Sequence, residues 1–240
     1  FGIAGHHAMM ALENDMIGVA MTNASALVAP TFSKERMLGT NPIAVAIPAG
    51  GQPAFVADFA TTTAANGKLE ILQRKNQPMP LGWALDKEGE PSTDPNAIKN
   101  GGLLLPLGGD KEHGSHKGYA LGAIADIFSG ILSGANYGPW VPPFPAYLPM
   151  PESMPGEGIG HFFGAMRIDA FRTAGEFKQH MDKWIARFRS AKTIPGQEKV
   201  LIPGDPEREM EAERMEKGIP LLQPVIDDLK AIGDKFEVVL

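Results

Sequence analysis

Cysteine is absent from all 240 residues. That excludes disulfides, thiolate nucleophiles and thiolate metal ligands, and it is compatible with the reducing cytoplasm in which the protein is expected to work. No Gly-x-Gly-x-x-Gly run follows a strand pattern, and no P-loop is present, so the two common phosphate-cradling motifs are missing. An excess of positive charge is missing too. Lys and Arg number 22 against 28 Asp and Glu, a formal net charge of −6; without a basic stripe, nucleic acid is not an expected partner. Long apolar runs are equally scarce. The longest, Tyr119 to Ala135, holds Asp126 and several glycines and falls short of the roughly 20 residues that cross a bilayer, so no membrane partner is expected.

What is present is ordinary globular chemistry, 43% hydrophobic and 21% charged, enough for one large domain or two small ones. The chain opens on Phe1, inside an apolar pattern. We read this as a truncated N-terminus, with a processed mature end as the alternative. Ala4 to Asn14 predicts a helix with small and apolar residues on one side. Ile17 to Met21, Ile43 to Ile47 and Ala54 to Ala57 are short apolar runs that suit buried strands. Ala64 to Lys75 has helical character. Residues 76 to 110 are rich in turn formers and predict a long irregular excursion, and 136 to 160, with seven prolines and four glycines, predict no regular structure. Tyr119 to Ser133 lacks a polar face apart from Asp126 and predicts a buried helix. A strand over His161 to Ile168 follows.

Thr173 and Glu176 fit a capping box, with the Thr side chain on a backbone amide and the Glu reaching back. The helix they open carries Phe177, Met181, Trp184, Ile185 and Phe188 on one face, a core stripe. Glu207 to Lys217 alternates in charge and predicts a solvated helix stopped by Gly218 and Pro220, and Val225 to Ile232 a short final one. Interleaved strands and helices give an α/β or α+β class.

Three places could carry chemistry. His116-Lys117-Gly118 follows a glycine-containing loop and opens an apolar helix. A lysine at the positive end of a helix is disfavoured by a few tenths of a kcal/mol or more, unless an anion is shared between it and the free amides; solvent or a pairing with Asp110 or Glu112 is the plainer reading. Asp58, before Thr61 to Thr63, stands where a ribose or phosphate is often held, and equally where a residue simply caps a helix. Met21-Thr22-Asn23-Ala24 brings polar groups out of an apolar strand and serves equally as a turn. His6 and His7 begin a helix without further support. His113 and His116 lie three apart with no second matched cluster, so no metal site is expected.

These blocks, in order, resemble the NAD(P)-dependent malate/L-lactate dehydrogenase family of 2-hydroxy-acid oxidoreductases. The resemblance rests on Phe1-Gly2-Ile3-Ala4-Gly5, Met21-Thr22-Asn23-Ala24, Leu38-Gly39-Thr40-Asn41-Pro42, Asp58-Phe59-Ala60-Thr61-Thr62, Pro80-Leu81-Gly82-Trp83, His116-Lys117-Gly118-Tyr119, Gly160-His161-Phe162-Phe163 and Pro203-Gly204-Asp205-Pro206. It covers nearly the whole chain. It implies a mixed α/β, non-Rossmann dinucleotide-binding fold, NAD or NADP as cofactor, a small 2-hydroxy or 2-keto acid such as malate or lactate as substrate, and a homodimer. It also implies cofactor contacts at Thr22, Asn23, Ala24, Asp58, Phe59, Ala60, Lys117, Gly118, Gly204 and Asp205.

By the same resemblance the catalytic His immediately precedes Phe1, and an upstream segment supplies a Ser-His pair and an Arg. Residues 1–240 would then be the cofactor-binding majority of the enzyme, with a possible helical part over 169–240, and would be nearly silent alone. The loop Asp110 to Ser115 is longer than in the shortest members, and Ala120 stands where Gly is common. A module that kept the fold and lost turnover is the other reading. Asp58, Lys117 and Gly204 are expected to converge on one pocket.

Overall fold

The computed structural model describes residues 1–144 and 147–238. The chain divides into two compact units, Phe1–Gly204 and Asp205–Leu240, so the helical part expected over 169–240 falls on both sides of that division.

In the first unit, helix α1 (Ala4–Met9) runs into a 3-10 turn, Met10–Asn14, that ends on the left-handed Asp15. Four strands follow the expected runs: β1 (Met16–Thr22), β2 (Ile43–Ile47), β3 (Phe55–Phe59) and, much later, β7 (His161–Arg167). They form one sheet in the order β3-β2-β1-β7, every pair antiparallel. An all-antiparallel sheet contains no βαβ crossover, and the dinucleotide fold of that type is excluded for it. Small residues set how α1 lies on this sheet. Ala4, Ala8, Ala20, Ala44 and Ala46 form a buried cluster, and a side chain at Gly18 would overlap the Ala8 carbonyl.

Residues 76 to 110 differ from expectation. They contain three two-residue strands, β4 (Ala84–Leu85), β5 (Pro91–Ser92) and β6 (Leu103–Leu104), in the order β5-β4-β6. The many prolines and glycines keep the strands short, but the excursion is not loose. Met79, Ala84, Ile98 and Leu104 are buried with Leu27, Val28, Leu38 and Leu69 in a second core, beside helix α2 (Asn66–Arg74). Arg36 is held here as well, its guanidinium donating to Ile98 O at 2.6 Å and Gly102 O at 2.9 Å.

Helix α3 (Ser115–Asp126) continues as a π-helical turn, Ile127–Ile131. The predicted helix is therefore present, but its expected burial is not. Gly122, Ala125, Asp126, Ser129 and Gly130 are buried, while Ile124, Ile127, Phe128, Ile131 and Leu132 keep 41–69% of their surface exposed. The small residues, not the large ones, face the body of the unit. The described residues of 136 to 160 are irregular apart from a 3-10 turn at Gly138–Trp140.

Helix α4 (Ala174–Arg189) starts where the capping box places it. The Glu176 amide donates to Thr173 Oγ1 at 3.3 Å, but the Glu176 carboxylate takes the Thr173 hydroxyl at 2.9 Å instead of the backbone amide. Of the predicted core stripe, Ile185 alone is fully buried; Trp184 and Phe188 stack on each other and stay partly exposed. Asp182 ties α4 to the β2–β3 turn by accepting the amides of Gly50, Gly51 and Gln52. Those bonds hold its carboxyl below the usual range.

The second unit consists of α5 (Asp205–Lys217) and α6 (Gln223–Lys235). Gly218, with φ +81°, ends α5 as predicted. Helix α6 is longer than expected because Pro224 is tolerated in its first turn.

Candidate functional site

Register brings distant candidates to one end of the large sheet. Thr22 lies opposite His161, Met21 opposite Ile43, and Ile43 opposite Phe59. Asp58-Phe59-Ala60, Thr22-Asn23-Ala24 and His161 therefore share one edge, although 36 to 139 positions separate them in the chain.

At that edge the polar groups of 22–24 are matched internally. The Asn23 side chain donates to Asp126 Oδ1 at 3.0 Å and to Asn136 O at 2.7 Å, and accepts from the Gly160 amide at 3.0 Å. Its own amide donates to Gly160 O, and the Ala24 amide to Asn41 Oδ1. Asp126 Oδ2 accepts the Gly138 amide at 2.8 Å. Burial pushes the Asp126 carboxyl upward, opposed by the bonds from Asn23 and Gly138. The network knots together β1, the end of α3 and the loop before β7. For these residues the structure favours a framework role over ligand contact.

Asp58 is exposed, and its Oδ2 accepts the Gly5 amide at 2.7 Å. The capping reading thus holds, but for α1 rather than the helix that follows Asp58 in sequence. Its donor is a neutral backbone amide. Phe59 is partly exposed beside it.

Chain leaving β3 passes directly beneath α3. The Leu107 amide donates to Thr61 O at 2.9 Å, Gly122 faces Thr61 Oγ1, and a side chain at Gly118 would overlap the Leu107 backbone. Gly118 is required for this close approach. Lys117, one residue earlier, is exposed and forms no ion pair among the described residues; Asp110, one of its two sequence candidates, instead holds the His113 ring at 2.6 Å. No side chain caps α3, whose N-cap is the left-handed Gly114, and its first turn contains no acidic residue. Among the described residues no acidic side chain pairs with this lysine or caps the helix, although the Ser115 and Lys117 amides already donate to the Asp110 and Gly114 carbonyls.

The third expected convergence point is less direct. Pro203 O accepts the Val56 amide at 3.0 Å, which sets Gly204 beside β3, three positions from Phe59. Asp205 opens α5 in the second unit, where Arg208 lies 2.8 Å from its carboxylate. No hydrogen bond joins Asp58, Lys117 and Gly204; Thr61 and Val56 connect them through the framework. A cleft of about 660 Å³ bounded by Thr31, Phe32, Leu81, Gly109 and Ser115 contains none of the ten residues. It reaches only the loop in front of α3. The exposed chemistry of Lys117 and His161 carries more weight for a site than the size of that cleft. Among the described residues no group of three His, Asp or Glu is placed to hold a metal.

The arrangement has known counterparts. The family pattern described as malate/L-lactate dehydrogenase matches residues 1–230. The chain belongs to this family. It is 41% identical to the malate dehydrogenase of Pyrococcus horikoshii over 239 residues, 99% of this chain and 64% of the relative. It is 40% identical to the malate/(S)-sulfolactate dehydrogenase of Methanothermus fervidus over 240 residues, 100% of this chain and 65% of the relative. The crystal structure of malate dehydrogenase from Entamoeba histolytica superimposes with a TM-score of 0.85 at 33% identity, covering 100% of this chain and 66% of that one. The chain thus spans about two thirds of the length of these relatives. The mixed α/β, non-Rossmann fold is that of the malate/L-lactate dehydrogenases.

The relatives named above are dehydrogenases. An uncapped helix amino end with an unpaired lysine is complementary to a phosphate. One residue escaped the sequence reading. His161 has its Nδ1 2.8 Å from Thr22 Oγ1 and its ring stacked on Phe1 at 4.8 Å. Loss of hydration, then the Phe1 amino group and His7, push its imidazole below the ordinary value. Its signals in the sequence were its place at the start of a strand and in the Gly160–Phe163 block of the resemblance, neither of which tells the partner across the sheet.

Proposed function

We propose that residues 1–240 are the cofactor-holding majority of an NAD(P)-dependent dehydrogenase that moves a hydride between the dinucleotide and a small 2-hydroxy acid, malate or lactate foremost. The observation that carries this reading is Lys117, exposed and without a counter-ion at the uncapped start of α3, in a chain similar to proteins named malate dehydrogenase. The cofactor, when bound, supplies the hydride acceptor or donor. Lys117, at the amino end of α3, neutralises a phosphate. Asp58 fixes the start of α1 through the Gly5 amide, and the Asn23–Asp126 network holds α3 against the sheet.

Titration of this chain with NADH and with NADPH, followed by nicotinamide fluorescence, is expected to give saturable binding of at least one, and the stronger identifies the cofactor. With the upstream segment restored, because residues 1–240 alone are expected to be nearly silent, dehydrogenase assays with malate, lactate and sulfolactate then identify the acid. Absence of saturable binding for both dinucleotides would overturn the reading. Binding without turnover of any 2-hydroxy acid would favour a module that kept the fold alone.

The same reading includes a second copy of the chain as partner. Ile124, Ile127, Phe128, Ile131 and Leu132 recur at helical spacing and are all at least 41% exposed. A helix normally buries such a stripe. Together they expose on the order of 500 Å² of apolar surface, near the upper end of what monomers leave uncovered. Light scattering is expected to give the mass of a dimer, and Ile127→Glu with Ile131→Glu that of a monomer. A monomeric unaltered chain would dismiss this partner.

A further inference from the structure

The tautomer of His161 follows from its neighbours. Thr22 Oγ1 lies 2.9 Å from Gly160 O and 3.0 Å from Asn23 O, and carbonyl oxygens only accept. The single hydroxyl proton therefore goes to a carbonyl. A lone pair of Oγ1 is left to accept from His161 Nδ1–H at 2.8 Å. With Nδ1 carrying the proton, Nε2 is a bare acceptor, and the other ring nitrogen decides its role. The ring is exposed, so this edge is open to a ligand.

The surroundings narrow the class of that ligand. One face of the imidazole is covered by Phe1, whose ring lies 5° from parallel; Phe163 is tilted beside it, and His7 packs against both Phe1 and Phe163. Among the described residues no lysine, arginine or carboxylate side chain shapes its ionisation. An aromatic wall with one uncharged acceptor suits a flat, neutral ring that carries an N–H donor. His161 also lies directly across from Thr22, three strand spacings from β3 and two residues further along than Asp58, about 16 Å from it. An extended dinucleotide can reach both ends of that row.

We propose that His161 Nε2 accepts a hydrogen bond from the carboxamide N–H of the cofactor's nicotinamide. The proposal rests on the dehydrogenase reading above and assigns the reacting end of the dinucleotide to the β7 side of the sheet edge. His161 becomes a cofactor contact whose orientation Thr22 fixes, and Thr22 acts as a positioning residue.

The test compares NADH with the reduced form of 3-acetylpyridine adenine dinucleotide, in which a methyl ketone replaces the carboxamide and the N–H donor is gone. The unaltered chain is expected to bind NADH about 3–10-fold more tightly, the range of one neutral hydrogen bond. In His161→Asn the side-chain amide reaches only the Nδ1 position. That variant keeps the bond to Thr22 and an unchanged thermal midpoint, but its preference for NADH collapses to about 1. His161→Gln, whose amide reaches the Nε2 position, is expected to recover part of the preference. Equal affinity of the unaltered chain for the two dinucleotides overturns the proposal and leaves the dehydrogenase reading standing, as does a preference that survives in His161→Asn. Failure to bind either dinucleotide overturns both.

Discussion

Replacing Asn23 with Ala is expected to destabilise the first unit by about 3–5 kcal/mol, enough to threaten a domain whose total stability is typically 5–15 kcal/mol. The side chain is 2% exposed and makes three hydrogen bonds. Its removal orphans one acceptor on Asp126, the Asn136 carbonyl and the Gly160 amide. The cavity is too enclosed for each to find bulk water, so each carries its own desolvation cost.

The effect should also depend on pH, and its sign is fixed. Asp126 already titrates above an ordinary Asp because burial disfavours its charge, and the Asn23 bond is the first of two that oppose that shift. A raised folded-state pKa means stability that is fully present below the unfolded value of about 3.9 and lost as pH rises through the folded one. Without Asn23 the carboxyl rises further. The destabilisation measured by urea unfolding must then be larger at pH 7 than at pH 4.5. A loss under about 1 kcal/mol, or one that shrinks toward neutral pH, would show that the network does not hold α3 to the sheet.

Lys117→Ala should act on binding and leave folding untouched. A charge-assisted bond to a phosphate is worth about 1.5–3 kcal/mol, so NADH affinity should fall on the order of 10–150-fold. The thermal midpoint should stay or rise slightly, because a cation is removed from the positive end of α3 and the side chain is exposed with no ion pair to lose. The NADH affinity of the unaltered chain should weaken with added salt and that of the variant much less, since screening acts on the charge that was removed. An alanine variant that binds NADH as tightly as the unaltered chain would remove α3 from the site.

Much of the backbone was legible before any coordinates. The alternation of Ile17 to Met21, the apolar run at 43–47, the Thr173–Glu176 cap and the Gly218 stop all act within a few residues, and each element appears where it was expected. The blocks that carry the family resemblance were equally readable. What the sequence could not reveal was which partner each polar residue meets. Asp58 was read as a ribose or phosphate contact or as a cap, and the helix whose amide it holds lies 53 residues upstream. Asn23 and Asp126, 103 apart, close a buried network that no local pattern announces.

Burial of Tyr119 to Ser133 was expected from composition alone. The structure turned its glycines and Ala125 inward and left the isoleucines out, because only residues without bulk allow α3 to approach Thr61 and Leu107. By itself the sequence determined the elements, their order and the family, since propensity, caps and turn residues are local. Tertiary structure alone decided exposure, hydrogen-bond partners and the meeting of Thr22 with His161, 139 residues away, because those depend on how an antiparallel sheet closes distant chain into register.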